Sequence, residues 1–245
     1  MADEVFLFID FDDTLSSSHD LNTQYARELS LLLSQDLGNE PGIWEPLIQA
    51  ELEQSLALYS QKFKNSPLAG YTNWIEEERG RFLLEIARQA QVKLPSNESS
   101  AAYAARLQFD ALTMCNASFP AAEETLRTLF DDNVRVQLAS SQESQYLLAA
   151  LIGAGIESYT ESKFGPDLLD CAKEGPEFYK RIFESCRIDP QMAIVIDDQP
   201  TCLQWAKEAG ARVIQACMLP NAAAAAEPIT ITQLRDIPAI LAKMV

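Results

Sequence analysis

A chain of 245 residues with 36 acidic against 19 basic side chains carries a formal charge of −17, which repels nucleic acid and anionic membrane surfaces and offers no basic stripe to a phosphate backbone. Its 47% hydrophobic content excludes a disordered chain and supports one large domain or two modest ones. With His19 the only histidine, His-rich zinc sites and Ser-His-Asp chemistry lack their parts, so catalysis must run on carboxylates, lysine and hydroxyls, with or without a hard metal.

Val5, Phe6, Leu7, Phe8 and Ile9 form a continuous apolar run that ends abruptly in Asp10, Asp12 and Asp13. A run this short, aromatic and β-branched, without alternation, predicts a central strand covered on both faces of a parallel sheet. Ligands in such sheets bind at the carboxyl ends of the strands, where Asp10 and Asp12 both point into the crevice and Phe11 between them faces away. Taken alone, the acidic triplet reads equally well as a solvated loop, so the rest of the chain decides.

After Leu15 the pattern turns helical, with Ser16-Ser17-Ser18 as a hinge. Leu21, Tyr25, Leu29, Leu32 and Leu33 recur at helical spacing and stop before a capping Gly38. Pro41-Gly42 opens a second helix carrying Trp44, Ile48, Leu52 and Tyr59. A break at Asn65-Ser66-Pro67 precedes a third through Trp74, Phe82 and Ile86. Pro95-Ser96 starts a fourth through Tyr103, Leu107 and Leu112, with Ser96 as its N-cap. Four amphipathic helices with short connections predict an inserted bundle.

From Phe119 an alternation of helix and strand resumes. Helices are expected over 123–130, into Gly153, over 177–186 and over 201–209, with strands over 134–139, 193–196, 212–214 and a short extended piece over 229–231. A last helix ends at Met244, and the alanine-rich stretch 222–226 is expected as loop. Such alternation implies a Rossmann-like three-layer parallel sheet. Five dispersed cysteines without Cys-x-x-Cys, and no signal-peptide pattern before the first strand, lead us to expect reduced thiols and a cytoplasmic location. No run of 18 apolar residues is present, so no membrane partner is expected.

Three strands thus end in polar residues at one edge: Asp10 and Asp12, then Ser140, then Asp197 and Asp198, with Lys173 between the last two. The order resembles the haloacid dehalogenase superfamily. Its Asp-x-Asp-x-Thr-Leu motif corresponds to Asp10–Leu15, its strand ending in Ser or Thr to Gln137–Ser140, its lysine before a helix start to Lys173, and its acidic pair to Asp197-Asp198. The resemblance implies a catalytic core of residues 1–15 and 117–245 with an inserted helical cap of residues 16–116. Asp13 stands where many members have Gly, a place that asks for a permissive backbone, which Asp partly shares.

The same resemblance implies roles. Asp10 would be the nucleophile, Asp12 the general acid and then base, and Lys173 the cation at nucleophile and phosphate. Thr14, Ser140, Ser141 and Lys173 would bind the phosphoryl group, with backbone N–H groups after Ser140 at a helix N-terminus. Mg²⁺ would be held by Asp10, the carbonyl of Asp12 and Asp198, with Asp197 beside them. Lys163, in a look-alike Lys163-Phe164-Gly165-Pro166 turn, competes with Lys173 and is taken as a surface residue.

An alkoxide leaving group needs a proton and a halide does not, so Asp12 favours a phosphomonoesterase or phosphomutase, and hydrolysis of a small phosphorylated metabolite, the commoner of the two activities, is the expectation. The alternatives are a phosphomutase similar to β-phosphoglucomutase and an inactive binding protein on this fold. Arg79, Arg81, Lys62 and Lys64 are the basic cap candidates for an anionic substrate tail.

Overall fold

In the computed structural model, residues 5–220, 222–223 and 226–244 are described, so residues 1–4 and 245 of the expected core and residues 224–225 of the alanine-rich stretch lie outside them. A six-stranded, all-parallel sheet runs in the order β3-β2-β1-β4-β5-β6. Its strands are β1 (Phe6–Ile9), β2 (Arg135–Ala139), β3 (Lys163–Phe164), β4 (Ala193–Asp197), β5 (Arg212–Ala216) and β6 (Thr230–Ile231). The helices are α1 (Ser18–Leu37), α2 (Pro41–Phe63), α3 (Tyr71–Gln89), α4 (Ser100–Leu112), α5 (Ala122–Asp131), α6 (Ser144–Ala154), α7 (Pro166–Leu169), α8 (Pro176–Cys186), α9 (Pro200–Glu208) and α10 (Ile237–Met244). No helix among the described residues is long and apolar enough to cross a membrane.

The absence of alternation in β1 has a direct structural cause. Leu7 and Ile9 face one hydrophobic core, and Phe6 and Phe8 face the other. In β4, Ile194 and Ile196 likewise join the first core while Ala193 and Val195 join the second. Each face of a strand carries every second residue, so burial on both faces demands an unbroken apolar run. Each large side chain so buried contributes about 1.5–3 kcal/mol. In register, Ile9 pairs with Leu138 on one side and Ile196 on the other, so β1, β2 and β4 end at one level and deliver the residues that follow to one edge.

Helices α1–α4 stand between β1 and α5, and the chain enters and leaves them through a hydrogen-bonded ribbon. Ser17 N–H donates to Ala117 O at 2.9 Å, and Phe119 N–H to Leu15 O at 2.9 Å. Buried Trp44 anchors this insert, its indole N–H donating to Gly38 O at 2.9 Å. The hydrophobic core continues from Leu7 and Ile9 through Leu21, Leu29 and Leu112 without interruption.

The structure corrects several sequence expectations. Ser99, not Ser96, caps α4, accepting from Ala102 N–H at 3.1 Å, because the helix starts only where the apolar stripe from Tyr103 gains a surface to cover. α6 runs through Gly153 to Ala154 and is capped by Gly155 at φ +72°. β3 and α7 were not expected, since a two-residue strand carries no periodicity. β5 extends two residues beyond the predicted end, to Ala216.

Gly153 has a packing role instead. A Cβ there would lie 2.3 Å from Cys115 O and 2.6 Å from Leu112 O, so only a bare backbone lets α6 meet the end of α4. Replacing Gly153 with Ala is expected to wedge the insert from the sheet and destabilise the protein by about 1–3 kcal/mol. Urea unfolding measures this, and an unchanged midpoint would contradict the contact.

Candidate active site

Asp10 follows β1 directly and is held at the strand tip by its N–H donating to Ile196 O at 2.8 Å. Ser140 follows β2, Asp197 ends β4, and Lys173 reaches in from the loop between α7 and α8. The ammonium of Lys173 uses all three of its donors: Asp10 Oδ1 at 2.7 Å, Asp197 Oδ2 at 2.7 Å and Ala139 O at 2.8 Å. All three charged side chains are buried, Lys173 at 5% exposure, Asp10 at 5% and Asp197 at 0%. Burial alone would discharge the lysine, but Asp10 and Asp197 outweigh it and hold the ammonium well above its ordinary pKa. Lys163 lies instead on β3, its ammonium 3.1 Å from Glu157 Oε1.

The loop after Asp10 turns sharply, with the N–H groups of Leu15 and Ser16 both donating to Phe11 O at 3.0 Å. Asp13 adopts φ +56°, the left-handed conformation that glycine would favour. Asp adds something glycine lacks: its carboxylate accepts from Ser18 N–H at 2.9 Å and Ser18 Oγ at 3.0 Å, seating the start of α1. Asp12 Oδ2 accepts from the Gln142 side chain at 2.8 Å. Burial pushes Asp12 up to about 6, with Gln142 opposing and Asp13 adding. Thr14 is fully buried and its hydroxyl has no partner, an unusual state for a buried donor.

Ser140 Oγ accepts from Gln142 N–H at 3.1 Å, which shapes the loop between β2 and α6. Gly165 must stay bare here, since a Cβ would lie 2.2 Å from Gln142 O. The expected anion-binding helix end is differently used. α6 begins at Ser144, not just after Ser140, and Ser144 N–H already donates to Asp167 Oδ1 at 2.8 Å. Ser141 is exposed beside this loop.

Carboxylate oxygens of Asp10, Asp197 and Asp198 lie within 4.8 Å of one another. Burial pushes Asp10 well above the usual carboxylate range, with Lys173 opposing and Asp197 and Asp12 adding. Burial and the neighbouring Asp197 likewise raise Asp198 to about 6. Three crowded acids against one lysine, all with hard oxygen donors, fit a small divalent cation. Within the cluster, Asp197 is already engaged, Oδ1 with Gln199 N–H at 2.8 Å and Oδ2 with Lys173, so Asp10 and Asp198 keep the freer oxygens.

The insert meets the core at this edge. Ala172 N–H, one residue before Lys173, donates to Pro67 O at 2.8 Å. Thr72 N–H and Oγ1 both reach Asp170 Oδ1 at 3.1 Å. Of the four basic cap candidates, Arg79 forms an ion pair with the core, to Glu143, and Lys64 lies near enough to Glu174 to act on its carboxyl. Arg81 is tied within the insert to Glu51 at 2.7 Å and Glu78 at 2.6 Å, and Lys62 and Lys64 are exposed. Sequence reasoning missed Gln142 and Tyr179, whose hydroxyl lies 3.3 Å from Asp197 Oδ2. Gln142 carried only the signal of a polar residue just past a motif strand, and Tyr179 read as helix core.

Comparison with known proteins places this site in a family. The family model described as haloacid dehalogenase-like hydrolase matches residues 6–210. No curated protein matches the sequence. Among solved structures, the 2-haloacid dehalogenase from Pseudomonas syringae pv. Tomato DC3000 is 18% identical, with a TM-score of 0.68 and coverage of 99% of this chain and 100% of that one. The defluorinating L-2-haloacid dehalogenase Rha0230 is 16% identical, with a TM-score of 0.68 over 98% of this chain and 95% of that one. The HAD-hydrolase YfnB from Bacillus subtilis, bound to magnesium, is 15% identical with a TM-score of 0.63 over 97% and 98%. At such identities the structures establish a shared fold, and it is the family match over most of the chain that completes the assignment: the protein belongs to the haloacid dehalogenase-like hydrolases.

Proposed function

We propose that the protein is a Mg²⁺-dependent phosphomonoester hydrolase of the cytoplasm, acting through an aspartyl-phosphate on a small phosphorylated metabolite. In this reading residues 16–116 serve as the cap over a catalytic core of residues 1–15 and 117–245. The observation that carries it is Asp12: a carboxyl two residues past the nucleophile, held by Gln142 and pushed up to about 6, where it both gives and takes a proton near neutral pH. A dehalogenase releases a halide and has no use for such an acid.

The chemistry divides among the chain's own residues. A carboxylate oxygen of Asp10 forms a bond to phosphorus as the ester P–O bond breaks, and Asp12 gives its proton to the departing alkoxide. Asp12, now ionised, takes a proton from the water that attacks phosphorus, releasing inorganic phosphate and restoring Asp10. Lys173 favours the ionised form of Asp10 against the effect of burial and holds it in place through the contact at 2.7 Å. Thr14, Ser140 and Ser141 bind phosphoryl oxygens, a role that supplies the unpartnered Thr14 hydroxyl with an acceptor. Asp10, the Asp12 carbonyl and Asp198, with Asp197 beside them, would hold Mg²⁺, which would supply positive charge against the phosphoryl oxygens when bound.

Asp10→Asn keeps the shape and removes the nucleophile, so turnover of p-nitrophenyl phosphate should fall below roughly a hundredth of wild type. Retention of more would remove Asp10 from this role. Asp12→Ala should lose rate on alkyl phosphates, which need a proton for the leaving group. It should keep a first step on aryl phosphates and accumulate a phosphorylated protein by intact mass. Equal losses on both esters without adduct would assign Asp12 to shaping the loop only.

The raised Asp198 also makes a stability prediction. In chelator the folded protein binds protons that the unfolded chain does not, between the ordinary value of 3.8 and about 6, so stability should increase as pH falls from 7 through that window. Saturating Mg²⁺ or Asp198→Asn should flatten that slope in a melting-temperature series. Identical slopes in all three would contradict a cation-compensated cluster.

A further inference from the structure

The leaving half of a phosphate ester must lie on the side of Asp12, since Asp12 protonates it. Gln142 holds Asp12 at 2.8 Å, and the next residue, Glu143, holds Arg79 of α3. Arg79 therefore pairs with the core one residue along the loop from the group that positions the acid. Tyr146 of α6 is buried and feels the charges of Asp12 and of Tyr25 on α1, and buried Tyr25 in turn feels that of Arg79. Two buried hydroxyls thus connect the acid electrostatically to this guanidinium.

That guanidinium is not at rest in its pairing. Glu143 meets Nη2 alone, and the adjacent Nε is buried with no acceptor, although the two N–H groups form a fork built for both oxygens of one carboxylate. The Arg79 side chain keeps 21% of its surface exposed, while that of Glu143 keeps 8%. Burial also pulls Arg79 below its ordinary pKa, against the opposing charges of Tyr71, Asp167 and Glu76. An unmet buried donor on a charged group is costly, and a bidentate carboxylate meets it.

We propose that Arg79 determines specificity by binding a carboxylate on the leaving half of the substrate, which displaces Glu143 from its guanidinium. This rests on the phosphomonoesterase reading and names its substrate class: small phosphate esters of hydroxy acids. A carboxylate fits better than a second phosphate, because Glu143 already marks the seat as one for a single negative charge and Asp167 and Glu76 stand nearby. Glu143 acts as an internal competitor that fills the seat when substrate is absent.

The test compares matched pairs with Mg²⁺ present: phosphoglycolate against 2-hydroxyethyl phosphate, and 3-phosphoglycerate against glycerol 1-phosphate. Wild type should favour the carboxylate in at least one pair by roughly tenfold to a hundredfold in kcat/KM, the range for a hydrogen bond to a charged group. Arg79→Gln should erase most of that ratio, chiefly through KM. Glu143→Gln, which removes the competitor, should lower KM for the same acid. No preference in either pair, or a ratio unchanged in Arg79→Gln, would overturn the proposal. Equal losses on acid and neutral esters in both variants would also overturn it, leaving the pair as a latch between insert and core. Wild-type turnover of p-nitrophenyl phosphate separates the two levels: if it proceeds while the pairs show no preference, only the role of Arg79 falls, and if no phosphate ester is hydrolysed, the phosphomonoesterase reading falls with it.

Discussion

Lys173 lies where three chain segments meet, bonded to Asp10 after β1, Ala139 at the end of β2 and Asp197 at the end of β4. A parallel sheet brings strand tips together, but the acids at those tips repel one another once buried, and the lysine is what allows them to be there. Removing one partner of such a buried network costs about 3–5 kcal/mol because it leaves the others uncompensated. One ammonium does not balance Asp10, Asp197 and Asp198. The remaining negative charge is what fits the edge for a cation and underlies the phosphate-ester reading proposed above.

The same segment that carries Lys173 is where insert and sheet hold each other. Pro67 accepts from Ala172, Thr72 donates to Asp170, and Asp167 takes the first N–H of α6. Buried Phe63 and Tyr71 pack with Ala172 just before the lysine. The loop that supplies Lys173 is therefore positioned partly by the insert. A displacement of α3 is transmitted within a few residues to Lys173 on one side and, through Arg79 and Glu143, to the Asp12-holding loop on the other.

Much of this was legible in the sequence, for physical reasons. A strand buried on both faces must be continuously apolar, which made β1 and β4 visible and placed Asp10, Asp197 and Asp198 at one edge. The left-handed turn at Asp13 was foreseeable from a residue that tolerates it, while its second role, seating Ser18, depends on a contact between side chain and helix start. Contacts across the fold were not legible. Gly153 looked like a helix stop because the carbonyls of Leu112 and Cys115 that require it belong to the end of distant α4 and the turn after it. Periodicity could not separate Arg79 from Arg81, since both lie on α3 and only the placement of Glu143, Glu51 and Glu78 distinguishes them.

The central claim is that an acid beside the nucleophile commits a fold shared with dehalogenases to phosphate esters. The direct measurement is a head-to-head turnover assay of the wild-type protein with Mg²⁺, following phosphate release from p-nitrophenyl phosphate and halide release from 2-chloropropionate. Phosphate release with no halide above background is the result this account predicts. Halide release without phosphate would contradict it.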